Sequence, residues 1–439
     1  MDAATAGMGD PSKDAAVLVR QSVVLPKEGS TYEGVVAVDE TVGVDTKFIF
    51  MFPKLGSIAV SLTSPSAKRF DLNSPEYQEY NSTKTIQFAF NTAEVGDWTY
   101  NIEHTAPALV KQVVTVSVRS HPQGYKEPVR VRAWVNRLNA VYPLKTVIYA
   151  EVTRGYTPVL YANVTAYVER PLSQDRVTLQ LRDNGAGSDN EADDGVYSAY
   201  FTTMNSNDRY SVDVRAETKP GMAMFKIGGG SGVAFATPGA MEPVRKVPAP
   251  KMNRATNAGS FVVTNYTSGQ DPYPPSRIID LLVISYDQDA KVVTLEWTEP
   301  GEDLDYGKVT GYDIRVGQSF DEVSAGFDSS SKATLLEVIT PLGAGNRIQA
   351  KVKVNGLNDT LLTFAVRAID AAGHYGEPSN VVSSAAFELE DLGLNGSQIA
   401  AIVGGCVAGT VLIVGIVAFL AYKLKHAASA GKVAASPRI

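Results

Sequence analysis

Val293-Thr-Leu-Glu-Trp-Thr-Glu-Pro300, followed by Tyr312-Asp-Ile-Arg-Val316, is the stretch on which the fold reading turns. Val293, Leu295 and Trp297 alternate with Thr294 and Glu296, and side chains that switch face at every residue are the mark of a β-strand. The same period of two recurs outward from it. It is present in Ile58, Val60 and Leu62, in Val114, Val116 and Val118, in Val177, Leu179 and Leu181, and in Tyr210, Val212, Val214 and Ala216. Short strands at near-even spacing, broken by Gly, Pro, Asn and Asp, predict an all-β chain of tandem antiparallel sandwiches, each strand burying one face.

Breakers set the expected boundaries. His121-Pro-Gln-Gly124 divides a first block at 15–120 from a second at 125–220. A linker is predicted over 221–275, where Gly228-Gly-Gly-Ser-Gly232 and seven prolines argue for a crossing with little packing. The third block is 276–388.

Residues 399–422 run without a charge, long enough as a helix for a ~30 Å hydrocarbon layer. Glu388, Glu390 and Asp391 precede this span, and Lys423, Lys425, Lys432 and Arg438 follow it. The positive-inside bias therefore predicts a single-pass protein of the plasma membrane, with extracellular sandwiches and a cytosolic tail at 423–439. Glycosylation sequons at Asn81, Asn163, Asn265, Asn358 and Asn395 all fall on the predicted outer side. Gly405-x-x-x-Gly409 within the span would let two helices approach closely. The amino terminus, Met1-Asp-Ala-Ala-Thr-Ala-Gly-Met-Gly-Asp10, has no basic start and no apolar run. The expectation is the carboxy-terminal part of a longer protein, or an incomplete gene model.

Composition removes whole classes of chemistry. The 439 residues are 44% apolar and 20% charged, which argues against disorder. Lys and Arg total 40 against 47 Asp and Glu, a net charge of −7 that argues against nucleic acid as a partner. His104, His121, His374 and His426 are the four histidines and Cys406 the one cysteine, too few for a zinc finger or an intramolecular disulfide.

The third block, with Trp297, Tyr312-Asp-Ile-Arg-Val and Phe364-Ala-Val-Arg-Ala-Ile-Asp-Ala-Ala-Gly, resembles a fibronectin type III domain. Trp297 matches that family's second-strand tryptophan. Phe364 stands where the family has a tyrosine whose hydroxyl ties a corner to backbone, so the corner needs another support. A wider resemblance rests on Gly96-Asp-Trp-Thr-Tyr, Pro158-Val-Leu-Tyr-Ala-Asn-Val-Thr-Ala, Val177-Thr-Leu-Gln-Leu-Arg-Asp-Asn-Gly-Ala-Gly-Ser-Asp, Asp194-Gly-Val-Tyr-Ser-Ala-Tyr and Arg277-Ile-Ile-Asp-Leu. In order and spacing these are similar to the carboxy-terminal half of the calcium-activated chloride channel regulators, over roughly residues 15–390. The resemblance implies two regions upstream, a zinc metalloprotease with His-Glu-x-x-His and a von Willebrand factor A domain with Asp-x-Ser-x-Ser. No two histidines here are four apart, and Asp328-Ser-Ser-Ser-Lys332 has Lys at its fifth position. The expectation is therefore a non-enzymatic surface protein that binds a chloride channel or another surface partner. The alternative is a structural or adhesion stalk without effect on ion transport.

Two acidic stretches invite a cation. Asp183, Asp189, Glu191, Asp193 and Asp194 could supply most of the six to eight oxygens of a calcium site. Equally, Gly185, Gly187 and Gly195 would set left-handed turns around which solvated carboxylates merely gather. The second stretch, Glu299, Glu302, Asp303 and Asp305, is read as a solvated loop, with a cation or partner role as the alternative.

Overall fold

The computed structural model describes residues 14–384 except 55, 107–110, 125–126, 174, 220, 229–243, 288 and 355–361. The predicted span, the tail, Asn358, Asn395, Gly405 and Gly409 lie outside the described residues. Among the described residues no helix is long and apolar enough to cross a membrane. Among the described residues the regular structure is almost entirely strand, and the strands pair antiparallel apart from the short parallel contact of Asn139–Val141 with Met252–Thr264.

The first sandwich pairs two sheets. One runs in the order Ala16–Leu25, Gln112–Pro122, Val42–Met51, Thr85–Thr92 and Tyr77–Tyr80. The other orders Thr31–Val38, Gly96–His104, Ile58–Thr63 and Arg69–Phe70. Inward aromatics fill the space between them: Trp98 sits 4.8 Å from Phe90 and 5.3 Å from Phe48 between ring centres. Its indole N–H donates to the Glu94 carbonyl at 2.9 Å, so the buried donor is satisfied.

The second sandwich takes up much of the described part of the expected linker, while its stretch 229–243 lies outside the described residues. Met224–Ile227 and Arg245–Pro248 are strands at the edge of the sheet that begins with Val129–Val135, Val147–Arg154 and Thr157–Leu160. Met252–Thr264 pairs with Arg209–Thr218 in the opposite sheet, beside Asn163–Glu169 and Arg176–Leu181. Pro248 and Pro250 lie at or just before strand ends, where proline is tolerated. Beyond them, Phe261 and Val263 alternate inward and are buried, and a register shift earlier in the strand brings Met252 into the same core. Counting breakers concealed that alternation.

Tyr210 anchors this core. Its ring stacks on Phe261 at 5.2 Å, and its hydroxyl accepts from the amides of Asn205 at 2.9 Å and Ser206 at 3.0 Å. Tyr210→Phe keeps the ring and strands both amides. A loss of about 1–3 kcal/mol is expected, read as a lower denaturant midpoint with an unchanged slope.

The third sandwich sets Leu282–Asp287, Val292–Thr298, Arg347–Lys353 and Thr334–Leu335 against Ser331–Lys332, Gly311–Gly317, Thr363–Ile369 and Val382–Ser383. Val293, Leu295, Trp297 and Phe364 are all fully buried between the sheets. Support for the corner at Phe364 comes from its neighbour. The Thr363 hydroxyl lies 3.1 Å from the Gly317 carbonyl and 2.9 Å from that of Ser319, and donates there.

Candidate functional site

Asp183, Asp189 and Asp194 converge at one turn, each offering an oxygen within 4.8 Å of the others. Backbone amides already occupy these carboxylates. Asp189 accepts from Asn184 and Gly185, both at 2.6 Å, and from Glu191 at 3.3 Å. Asp183 accepts from Asp194 at 3.2 Å and Gly195 at 3.0 Å, and Asp194 from Val196 at 2.7 Å. Gly185, Gly187 and Gly195 take positive φ of 67°, 65° and 83°, which lets the chain fold back over the acids.

Two of the five expected ligands fall away. Glu191 is exposed and outside the cluster. Asp193 instead receives Lys246 at 2.7 Å, from the edge strand in the region read as linker. The strand that supplies its partner begins about fifty residues further on, a distance no local pattern reports. Since each of the three remaining carboxylates already accepts at least one backbone amide, a melt in millimolar calcium and one in chelator should coincide. A calcium-dependent rise abolished by Asp194→Asn would instead put a cation at the turn.

The second acidic stretch is not a solvated loop. Leu304 is buried in the core of the second sandwich, and Asp305 beside it clasps that sandwich from the third. Its carboxylate accepts from the Ser188 hydroxyl at 2.9 Å and the Tyr200 amide at 2.9 Å. Arg182 answers by donating to the Ala344 carbonyl at 2.8 Å. A Cβ on Gly345 would stand 2.2 Å from Arg182 Nε, so only glycine permits this approach. Glu299 is likewise buried and accepts from the Leu342 amide at 2.6 Å.

Nearby, Asp271, Asp370 and His374 form a second group of potential metal ligands within 4.8 Å. His374 Nδ1 lies 2.8 Å from Asp370, whose other oxygen accepts the His374 amide at 2.7 Å. Burial, and then the closeness of Asp271, push the Asp303 carboxyl up. These residues come from segments far apart in the chain, and nothing in the sequence signalled their meeting.

Burial also pushes Asp183 and Asp305 up to about 6 each, despite the donors around them. A folded pKa above the unfolded value means the native state binds the proton more tightly, so stability falls as pH rises from about 4 through 6. Asp313 works the other way. Although burial raises its pKa, the Arg315 and Arg367 guanidinium groups lower it overall, so its contribution is lost only below about pH 4. Between pH 5 and 7.5 the raised group prevails. Thermal midpoints should be higher at pH 5 than at pH 7.5, and Asp183→Asn should flatten part of that slope.

Asn81, Asn163 and Asn265 are all exposed, as a glycan acceptor must be.

No family model matches this chain. Among curated proteins it is 32% identical over 378 residues to calcium-activated chloride channel regulator 1 of Bos taurus, covering 81% of this chain and 41% of that protein. With calcium-activated chloride channel regulator 4 of Homo sapiens it shares 31% over 408 residues, covering 88% and 43%. With calcium-activated chloride channel regulator 2 of Homo sapiens the figures are 33% over 314 residues, 67% and 32%. The chain thus spans less than half the length of these relatives.

Proposed function

The chain carries a region of the calcium-activated chloride channel regulator family, and from that premise we propose that it is a non-enzymatic, single-pass surface protein that modulates chloride conductance by binding a channel or another surface protein. The observation that carries this reading is the 32% identity sustained over 81% of the chain, across all three sandwiches rather than at one motif. Two four-stranded sheets in the third sandwich, one running from Leu282–Asp287 to Thr334–Leu335 and the other from Ser331–Lys332 to Val382–Ser383, support a fibronectin type III-like module. Residues 399–422 anchor it, with the sandwiches outside and carrying glycans. Glycosidase should then lower the mass of the membrane-expressed protein. Antibody reaching an epitope at Ile439 in unpermeabilised cells would reverse the orientation.

A rigid stalk is the second reading, favoured by the bonded junctions on both sides of the second sandwich. Whole-cell calcium-activated chloride current, recorded with and without the chain at equal surface expression, separates the two. A change in current supports the regulator; identical currents leave the stalk.

A further inference from the structure

A cavity of about 160 Å³ lies between the first and second sandwiches, far above the roughly 10–15 Å³ that one water needs. The first sandwich contributes Gln21, Tyr32 and Tyr100 to its wall, and the second contributes Arg215, Glu217 and Asn253. Arg215 is partly buried on strand Arg209–Thr218, and its guanidinium lies 4.4 Å from the Tyr167 ring centre. It makes no hydrogen bond or ion pair with any described residue, and Nε and Nη2 are shut from solvent without a partner. Its neighbours on that face do not relieve it. Asp213 is engaged by Asn257 at 2.8 Å and Arg20 at 3.8 Å, and Glu217, though it lines the same cavity, is exposed and makes no ion pair with Arg215.

A partly buried cation without a bonded anion is costly, and Arg215 lines the cavity although its Nε and Nη2 are closed off from it. Other donors line the same wall. The Gln21 amide donates to the hydroxyls of both Tyr32, at 3.2 Å, and Tyr100. Tyr32 and Tyr100 also hydrogen-bond each other, so one of the two hydroxyl protons remains to give. The second guanidinium at the cavity, Arg254, is already held by Asp39. Among the described residues, Arg215 is thus the guanidinium at the void without an ion pair. We propose that this cavity binds a small carboxylate or inorganic oxyanion, with Arg215 as its principal ligand, and that the bound anion ties the first sandwich to the second. Nε and Nη2 form the side edge of a guanidinium, the fork that donates to two oxygens of one anion. Binding requires Arg215 to turn that edge from Tyr167 towards the cavity.

The test is thermal melting of the full chain in detergent, titrating acetate, phosphate and sulfate at constant ionic strength. Wild type should show a saturable rise in midpoint with at least one of these anions. Arg215→Gln should abolish the rise. Arg176→Gln, which removes the other guanidinium near Tyr167, should leave it intact. Glu217→Gln, by removing the carboxylate that lines the cavity, should lower the half-saturating concentration several-fold. If Arg215→Gln fails to fold, the Glu217→Gln titration decides alone: a lower half-saturation supports the site, and an unchanged one overturns it. Linear, identical responses in wild type and variants would mean that the cavity holds water only.

Discussion

Trp297→Ala should unfold most of the third sandwich. The indole is fully buried, meets Tyr312 edge-on at 5.0 Å and is paired along its strand with Ile348. Truncating so large a buried ring forfeits its burial and leaves a cavity, together about 3–5 kcal/mol. A domain has only about 5–15 kcal/mol to lose. The measurement is hydrogen exchange in the intact chain, since Leu304 ties this sandwich to its neighbour. Amides of Val292–Thr298 and Thr363–Ile369 should lose protection while those of Val42–Met51 keep theirs. Unchanged protection in the third sandwich would mean that the tryptophan contributes little to its core.

Arg254→Ala should be about as damaging, for a different reason. Arg254 and Asp39 pair at 2.8 Å with each side chain only 2% exposed, one from each side of the first junction. Arg254 also donates to the carbonyls of Val129 at 2.6 Å and Asn253 at 2.8 Å. Removing one member of a buried pair leaves the other desolvated and uncompensated, at about 3–5 kcal/mol. Asp39→Ala should cost a similar amount, and the double variant clearly less than the sum. Denaturant midpoints of the four proteins measure this coupling. Strictly additive losses would show that the pair does not act as a unit.

Strand identity and facing were readable because the relevant forces are local. Alternation at Val114, Val116 and Val118, or at Val293, Leu295 and Trp297, states which side is buried whatever the strand pairs with, and each of these residues is buried. The misreading of 221–275 came from weighing prolines and glycines above the Phe261 and Val263 alternation in the same segment; Met252 joins the same core only through a register shift that no period of two reports. Of the acidic turn, the glycine geometry and three of the five carboxylates were legible.

What the sequence alone determined, then, was the class of fold, the inward residues of most strands and the family resemblance. All follow from pattern along the chain, where the period of a strand is two residues. The tertiary structure alone decided which charges meet. Asp39 finds Arg254 across a domain junction, Asp193 finds Lys246 on an edge strand, and Asp305 leaves its own sandwich to bind Ser188 and Tyr200. A carboxylate in sequence looks the same whether water or a buried donor will satisfy it. Only desolvation by the assembled sandwiches separates the two fates, and it depends on surfaces that distant segments bring together.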